Sequence, residues 1–346
     1  MTTRIGIAGF GKMGRIRAAA LRAEGAEIAC VCDVAAEPEA GFRRAPSLDA
    51  LIGDPAIDAV VVCLPNHLNK PVTMAALAQG KHVFCEKPPC FTAAEMREII
   101  AAERASGRVL MYGFNHRQHE AIVRMKSIVE SGTYGPILWM RGRYGKSVDA
   151  AYLETWRADK AKAGGGILMD QGIHMLDLFL YLAGAPFDEV QAMVSSLYWK
   201  IPGIEDNVFA QLRNSRTGLA VSFHSTMTQW RHLFSLEVFL ERGYLVLNGL
   251  KTSSNTYGEE VLTVARNRTS APAATFDDEE RLHFKVDTSW QREARLFLDG
   301  IETGAPVTCG SSSQALAVME LIDRIYREKR HHGERLHSDL LAPHDD

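Results

Sequence analysis

A glycine-rich turn near the start of the chain, Gly9-Phe10-Gly11-Lys12-Met13-Gly14, most constrains what the sequence can fold into. It follows an apolar run at residues 5–8 that predicts a buried strand, and it opens a segment with helical periodicity at residues 12–24. Glycines at this spacing permit a tight turn, close approach of the main chain to a pyrophosphate, and close packing of helix on strand. The phosphates would lie at the N-terminus of the helix. A ligand-free glycine turn is the alternative, and the strand before it and the helix after it favour dinucleotide binding.

Short apolar runs alternate with helical patterns through the first third of the chain, as in parallel βαβ units. Further strands are predicted at residues 28–32, 59–64, 83–85 and 109–112. Helices are predicted at residues 71–79, which start with a proline and stop at a glycine, and after the capping-box spacing of Thr92 and Glu95. We therefore predict a Rossmann domain, a doubly wound parallel sheet, over residues 1–118.

The pattern changes after residue 118, and a chain of 346 residues exceeds the size of one ordinary core. The next predicted elements are a helix (119–130), a strand (137–144), the loop Gly164-Gly165-Gly166 and a helix (167–182). Strand-like runs follow at 190–199, 208–212, 219–224, 234–240 and 244–247. Successive strands with short turns predict an open, mostly antiparallel sheet. This α+β domain is expected over residues 119–330, closing with a helix at 312–328, and residues 331–346 are expected to be a frayed tail.

Composition excludes several classes of protein. Hydrophobic residues make up 46% and charged residues 23% of the chain, which is the balance of a folded soluble protein. The formal charge of −3 offers no basic field for a nucleic acid, and no apolar run reaches the roughly 18 residues of a membrane helix. Six cysteines without a Cys-x-x-Cys pair, and a start without a signal-peptide pattern, indicate buried thiols and a cytoplasmic location.

Two polar positions follow strands at the edge where open α/β sheets bind ligands. Asp33 ends the second strand, where a carboxylate can accept both ribose hydroxyls and repel a 2′-phosphate, which favours NAD over NADP. A solvated or capping acid is the alternative. In the loop Leu64-Pro65-Asn66-His67, Asn66 and His67 either contact ribose or nicotinamide, or cap the helix that follows.

The sequence Glu86-Lys87-Pro88 ends the next strand and places an ammonium at the same edge. Proline restricts the residue before it to extended conformations and removes a backbone donor. Lys87 can therefore donate to a substrate hydroxyl and stabilise the alkoxide that develops as hydride leaves. The alternative is a solvated lysine paired with Glu86.

Asp170 and His174 lie four residues apart in an otherwise apolar helix, so an α-helix would place them on one face. They either pair as structure, or form a neutral imidazole base oriented by a carboxylate. A metal site is disfavoured because no third ligand stands nearby at a recognised spacing, and no Gly-x-Ser-x-Gly elbow indicates a hydrolase.

Four motifs occur in one order along the chain: the glycine turn, Glu86-Lys87-Pro88, Asn115-His116-Arg117, and the Gly-Gly-Gly helix with Asp170 and His174. With these motifs the sequence resembles the Gfo/Idh/MocA oxidoreductase family over nearly the whole chain. The resemblance implies hydride transfer between NAD(P) and a secondary hydroxyl or ketone of a sugar, polyol or nucleotide sugar, with Lys87, Asp170 and His174 as catalytic residues. It also implies a homodimer or homotetramer formed through the open sheet. The expected cofactor-binding residues are Gly9, Phe10, Gly11, Lys12, Met13, Gly14, Asp33, Leu64, Pro65, Asn66, His67, Glu86 and Lys87.

Substrate identity is the least constrained expectation. A basic and aromatic set is expected to bind a sugar, a carboxylated sugar or a nucleotide sugar: Asn115, Arg117, Tyr144 within the run Arg143-Tyr144-Gly145-Lys146, Trp156 and Arg157. The alternative is that these residues are solvated or lie between subunits. Two other functions known in the family also stay open at this point, a redox-assisted glycosidase that keeps its NAD and a non-catalytic NAD-responsive binding protein.

Overall fold

The computed structural model describes residues 2–34, 42–252 and 254–339, with side chains up to residue 328. The chain forms two compact units. The N-terminal unit comprises Met1–Glu120, Ala161–Gly164 and Asp287–Met319, and the C-terminal unit comprises Ala121–Lys160, Gly165–Val286 and Glu320–Asp346. The expected domains, residues 1–118 and 119–330, are continuous stretches and stay a prediction; each compact unit consists of three separate segments of the chain.

The secondary structure follows the predicted α/β order. The helices are α1 (Lys12–Ala23), α2 (Leu48–Ile52), α3 (Asn69–Ala78), α4 (Ala93–Ser106), α5 (Glu120–Glu130), α6 (Lys160–Ala163), α7 (Ile173–Ala183), α8 (Ser289–Thr303) and α9 (Ser312–Asp339). The strands are β1 (Arg4–Ala8), β2 (Glu27–Cys32), β3 (Ala59–Val62), β4 (His82–Glu86), β5 (Leu110–Gly113), β6 (Ile137–Ser147), β7 (Glu189–Ser195), β8 (Asn207–Arg213), β9 (Ala220–Thr226), β10 (Thr228–Leu240), β11 (Gly243–Asn248), β12 (Glu260–Arg266) and β13 (Glu280–Phe284).

The N-terminal unit is built on a five-stranded parallel sheet in the order β2-β1-β3-β4-β5. Its central strand β3 is buried along its whole length, as expected where helices cover both faces. The predicted doubly wound Rossmann sheet is therefore confirmed.

Helix α8 belongs to this unit because its apolar face packs into the same core as the sheet. Ala294, Phe297 and Leu298 are buried in that core, and the Phe297 ring meets the Phe84 ring edge-on at 5.6 Å between centroids. This helix was not predicted from the sequence, although its buried residues recur at helical spacing.

Helix α4 shows how local sequence sets its ends. The Thr92 hydroxyl accepts a hydrogen bond from the Glu95 amide at 3.2 Å, as a capping box requires. The Glu95 carboxylate, however, accepts from the Phe91 amide at 2.7 Å, one residue earlier than in the standard box. The helix ends at Gly107, whose φ of +62° is the left-handed conformation that glycine adopts without strain.

The C-terminal unit contains an eight-stranded sheet in the order β13-β12-β11-β10-β6-β9-β8-β7. Every neighbouring pair is antiparallel except β6 and β9, which run parallel. The predicted open, mostly antiparallel sheet is confirmed, although β12 and β13 were not predicted.

The predicted strand at residues 190–199 stops at Ser195 because the next backbone amides bond elsewhere. The amides of Leu197, Tyr198 and Trp199 donate to the Asp206 carboxylate at 2.7–2.9 Å. Burial works against ionised Asp206, but these donors outweigh it and hold its pKa below the ordinary value.

Helix α7 packs on one face of this sheet through Gly142 on β6. A Cβ atom at Gly142 would stand 2.5 Å from both Met175 Sδ and Phe179 Cζ. The close approach of helix and strand therefore depends on the absence of a side chain at that position.

The opposite face of the sheet carries exposed apolar side chains, including Trp139, Met193 and Phe209. Trp139 stacks on Phe239, and Phe209 stacks on His224. Among the described residues, no helix is long and apolar enough to cross a membrane. The expected tail begins at residue 331, yet helix α9 continues to Asp339, and residues 340–346 lie outside the described residues.

We expect Gly142→Ala to lower the free energy of unfolding by about 1–3 kcal/mol, because the new methyl group overpacks the contact with α7. Gly300→Ala in α8 is the matched control, since its Cβ would have 3.5 Å to the nearest atom. There alanine should be neutral or stabilise by up to about 1 kcal/mol. Urea unfolding followed by circular dichroism measures both, and an unchanged midpoint in Gly142→Ala would contradict the packing.

Candidate functional site

The glycine turn of the N-terminal unit forms a cradle that leaves no space for side chains at two positions. Gly9 has a φ of +90°, and a Cβ there would lie 2.3 Å from the Cys63 carbonyl oxygen. A Cβ at Gly14 would lie 2.1 Å from the Gly9 carbonyl oxygen. Gly11 precedes α1, and a Cβ there meets nothing within 4 Å. The first turn of α1 therefore faces open space at Gly11, as a bound pyrophosphate requires.

Asp33 lies one residue after β2 and is joined to this turn. Its carboxylate accepts a hydrogen bond from the Phe10 amide at 2.6 Å. The Arg44 guanidinium donates to the Asp33 carbonyl oxygen at 3.0 Å. The structure thus brings Asp33 to the glycine turn, as the ribose interpretation requires.

The loop at residues 64–67 follows β3 and forms a single 3-10 turn, Asn66–Leu68. The buried Asn66 side chain donates to the Ala163 carbonyl oxygen at 2.9 Å, while His67 is exposed. Neither caps α3, because the residue preceding that helix is Leu68 and makes no side-chain cap.

Glu86 and Lys87 stand at the end of β4, and the peptide bond between Lys87 and Pro88 is cis. The Glu86 carboxylate accepts from Arg17 Nε at 2.6 Å, so this carboxylate is bound to a guanidinium. Lys87 is half-buried. The sequence offers a Glu86–Lys87 ion pair as the alternative and gives no indication that Arg17 is the partner of Glu86.

In the C-terminal unit the glycine run at residues 164–166 packs around the buried carboxylate of Glu205. Glu205 accepts from the Gly166 amide at 2.9 Å, the Leu168 amide at 3.1 Å and the Tyr326 hydroxyl at 2.8 Å. A Cβ at Gly165 would stand 2.2 Å from that hydroxyl, and one at Gly166 would stand 2.0 Å from the Glu205 carbonyl oxygen. These glycines allow the chain to close around Glu205 before the helix begins.

The predicted helix at residues 167–182 begins as a π turn, Leu168–Gly172, and continues as α7. Asp170 lies in the π turn, where residues are spaced differently from an α-helix, and such turns concentrate at functional sites. Its carboxylate accepts from Lys146 Nζ at 2.8 Å, and Arg157 Nε lies 3.9 Å from the other oxygen. Two cations from separate segments thus converge on Asp170.

His174 lies in the first turn of α7 and is 5% exposed. A series of rings extends from it: Tyr144 at 6.3 Å, Tyr257 at 5.4 Å from Tyr144, and the half-buried His232 at 4.8 Å from Tyr257. Burial raises the pKa of Tyr144 well above its usual range, and the neighbouring Tyr257 and Asp170 add to the effect. Burial, with nearby Lys146, lowers the pKa of His232. The surroundings of His174 therefore keep tyrosine neutral and disfavour protonated His232.

The other predicted substrate residues separate into two groups. Trp156 is half-buried, with the Arg157 guanidinium 4.4 Å from the centre of its ring, so this pair lies at the Asp170 carboxylate. Asn115 and Arg117 are buried within the N-terminal unit, where the Asn115 amide donates to the Ser289 hydroxyl at 3.2 Å. Their burial favours a structural role.

Two polar residues that bind the predicted motifs were not predicted from the sequence: Arg17 in the N-terminal unit and Glu205 in the C-terminal unit. Lys146 belongs to the expected basic and aromatic set, and strand alternation places it on the same face of β6 as the buried Tyr144, two positions earlier. Glu205 and Arg17 gave no local signal, since their partners are distant in the sequence. In the part of the chain that the structure describes, no group of three or more His, Cys, Asp or Glu residues could hold a metal ion.

Comparison with known proteins agrees with this arrangement. Residues 3–114 match the model of an oxidoreductase family with an NAD-binding Rossmann fold, and residues 122–246 match the GFO/IDH/MocA C-terminal domain. The 1,5-anhydro-D-fructose reductase of Ensifer adhaerens is 30% identical over 253 residues, covering 70% of this chain and 72% of the reductase. The myo-inositol 2-dehydrogenase of Thermotoga maritima is 26% identical, covering 91% and 93% of the two chains.

The fold is also found in a solved structure of levoglucosan dehydrogenase in complex with NADH and levoglucosan. It superposes with a TM-score of 0.82 at 24% identity, covering 96% of this chain and 98% of the dehydrogenase.

We expect Glu205→Ala to lower the free energy of unfolding by about 3 kcal/mol or more, because it leaves two amides and a hydroxyl without their acceptor. Tyr326→Phe removes only one of these bonds and should cost about 1 kcal/mol. Urea titrations of the two variants measure both losses. Equal losses of unfolding free energy would show that Glu205 does not organise the start of the helix.

Proposed function

The chain belongs to the Gfo/Idh/MocA oxidoreductase family, and we propose that it is an NAD-dependent dehydrogenase that oxidises a secondary hydroxyl of a sugar or polyol, or reduces the matching ketone. The cradle formed by Gly9, Gly14 and Asp33 is the observation that carries the proposal, because it excludes side chains at the two glycines and leaves open space beside them at the start of α1. The relatives named above act on an anhydro-sugar and an inositol, which supports the substrate class.

The residues of the cradle fit a dinucleotide. The glycine turn and the first turn of α1 would hold the pyrophosphate, and Asp33 would accept the ribose hydroxyls of the adenosine half. Leu64, Pro65, Asn66 and His67 would border the cofactor at the end of β3, with Glu86 and Lys87 at the end of β4. NAD, when bound, accepts a hydride from the substrate carbon.

Lys87 and His174 carry the proton chemistry in this proposal. The neutral His174 imidazole takes the proton of the substrate hydroxyl, and the Lys87 ammonium donates a hydrogen bond to the same oxygen and offsets its developing negative charge. Asp170 orients substrate beside the base, and its pairing with Lys146 holds its carboxylate in place. Tyr144, Trp156 and Arg157 are the proposed contacts to the rest of the sugar.

We further propose that the protein is a homodimer or homotetramer assembled through the exposed face of the C-terminal sheet. The apolar side chains of Trp139, Met193 and Phe209 on that face support it, because such surfaces are usually covered in an assembly. Sedimentation velocity measures the oligomeric state directly.

We also propose that the protein is cytoplasmic. The six free thiols of the protein favour a reducing environment such as the cytoplasm.

We expect Lys87→Ala and His174→Ala each to lower kcat by about 10²- to 10⁴-fold, because each removes a group that acts on the reacting oxygen. NADH affinity should stay within about threefold of the parent protein, because binding energy comes from the cradle. The assay is nicotinamide absorbance with a panel of inositols, aldoses, anhydro-sugars, uronic acids and nucleotide sugars.

Exposed residues of the same types supply matched controls, Lys285→Ala and His283→Ala, and both should retain full activity. Full turnover in Lys87→Ala or His174→Ala would rule out the assigned role of that residue.

We expect Asp33→Ser to reduce the preference for NAD over NADP, measured as the ratio of kcat/KM values, by about tenfold or more. The change removes the charge that repels a 2′-phosphate and the acceptor of the ribose hydroxyls. Asp49→Ser, at an exposed acid of the same unit, should leave the ratio unchanged. A parent protein that uses NADP as well as NAD would refute Asp33 as the selector.

A further inference from the structure

One buried side chain, that of Asn69, holds the main chain on either side of Lys87. Asn69, the first residue of α3, has no exposed surface, and its amide nitrogen donates to the Glu86 carbonyl oxygen at 3.3 Å and to the Pro88 carbonyl oxygen at 2.8 Å. One amide group thus spans the residue before Lys87 and the residue after it. The backbone from which the Lys87 side chain extends is fixed by a residue of another element.

Arg17 holds the side chain of Glu86. The guanidinium of Arg17 is 2% exposed and binds Glu86 at 2.6 Å through Nε and Glu293 at 2.5 Å through Nη1. Burial opposes its charge, but Glu293 and Glu86 outweigh burial and raise the pKa of Arg17 above its ordinary value. The rings of Phe84 and Trp290 lie 4.3 Å and 4.7 Å from the guanidinium carbon. Arg17 is therefore a permanent cation with a fixed position.

The neighbouring strand makes room for this ion pair. Gly113 pairs with Glu86 across β4 and β5, and a Cβ at Gly113 would stand 2.8 Å from the Arg17 guanidinium and 3.0 Å from the Glu86 carboxylate. A buried ion pair is weak evidence for stability, because desolvation of both charges offsets much of their attraction. Holding the Glu86 carboxylate in a set direction is a stronger reason for the pair.

We propose that Asn69 and Arg17 are positioning residues for Lys87, Asn69 by fixing its backbone and Arg17 by keeping the Glu86 carboxylate on the guanidinium rather than on the adjacent ammonium. The inference rests on the role proposed above for Lys87. Two helices, α1 and α3, supply the two groups, and both groups bind the three-residue segment 86–88. Scaffolding alone does not require both groups to bind the segment that carries Lys87.

Asn69→Leu keeps the approximate shape of the side chain and removes both hydrogen bonds. We expect kcat to fall about tenfold to a hundredfold, because a small displacement of a group at the reacting oxygen is enough to cost that much. NADH affinity should stay within about threefold, because the cradle is unchanged. Arg17→Lys, which keeps the charge but not the fork that joins two carboxylates, is the second variant and should also lower kcat.

The readout that separates positioning from scaffolding is the dependence on Lys87. In a Lys87→Ala background, Asn69→Leu and Arg17→Lys should each change the residual kcat by less than about twofold, because the group they position is gone. Asn214→Leu is the matched control, since the Asn214 side chain is also buried and its amide donates to a main-chain carbonyl, that of Pro186 at 2.7 Å. It should lower the melting temperature without lowering kcat.

Three results would overturn the inference. Full kcat in both Asn69→Leu and Arg17→Lys, with Lys87→Ala inactive, would refute it and leave the proposed function standing. An equal loss with and without Lys87 would make both residues scaffold. Full activity in Lys87→Ala would refute the role of Lys87 and the positioning role together. If only one of the two variants folds, that variant decides the outcome.

Discussion

The residues proposed for catalysis stand where regular secondary structure is interrupted, and a buried main chain cannot leave its hydrogen-bonding groups without partners. Lys87 follows the last residue of β4, and Asp170 lies in a π turn. At the first interruption the Asn69 amide binds two carbonyl groups, and at the second the Glu205 carboxylate binds two amides. One buried polar side chain at each break therefore makes an irregular backbone stable and gives it a single conformation.

Charged side chains at these motifs are paired in each unit, because a charge removed from water is tolerated only when it has a partner. Arg17 binds Glu86 in the N-terminal unit, and Lys146 binds Asp170 in the C-terminal unit. Each pair joins a residue of a predicted motif to a partner that the sequence did not predict for it. Pairing thereby determines the direction of a carboxylate that the motif alone leaves undirected.

Prediction from the sequence was reliable where the chemistry is local. The glycine turn, the parallel strands and the end of α4 at Gly107 depend on neighbouring residues, and they were recognised for that reason. The sequence predicts Asp170 and His174 on one face of an α-helix, and this stays a prediction; the structure places Asp170 in a π turn and His174 in the α-helix that follows. That turn depends on Glu205, which lies 37 residues after Leu168, so no periodicity near Asp170 could have indicated it.

The sequence alone determined the family, the two sheet types and the motifs that carry the chemistry, because periodicity, glycine spacing and strand-end residues act over a few positions. Only the tertiary structure decided which side chains hold those motifs. It placed α8 in the N-terminal core, Arg17 on Glu86 and Lys146 on Asp170. The physical reason is that a buried polar group is satisfied by whichever partner the fold brings within hydrogen-bonding distance, however far away that partner lies in the chain.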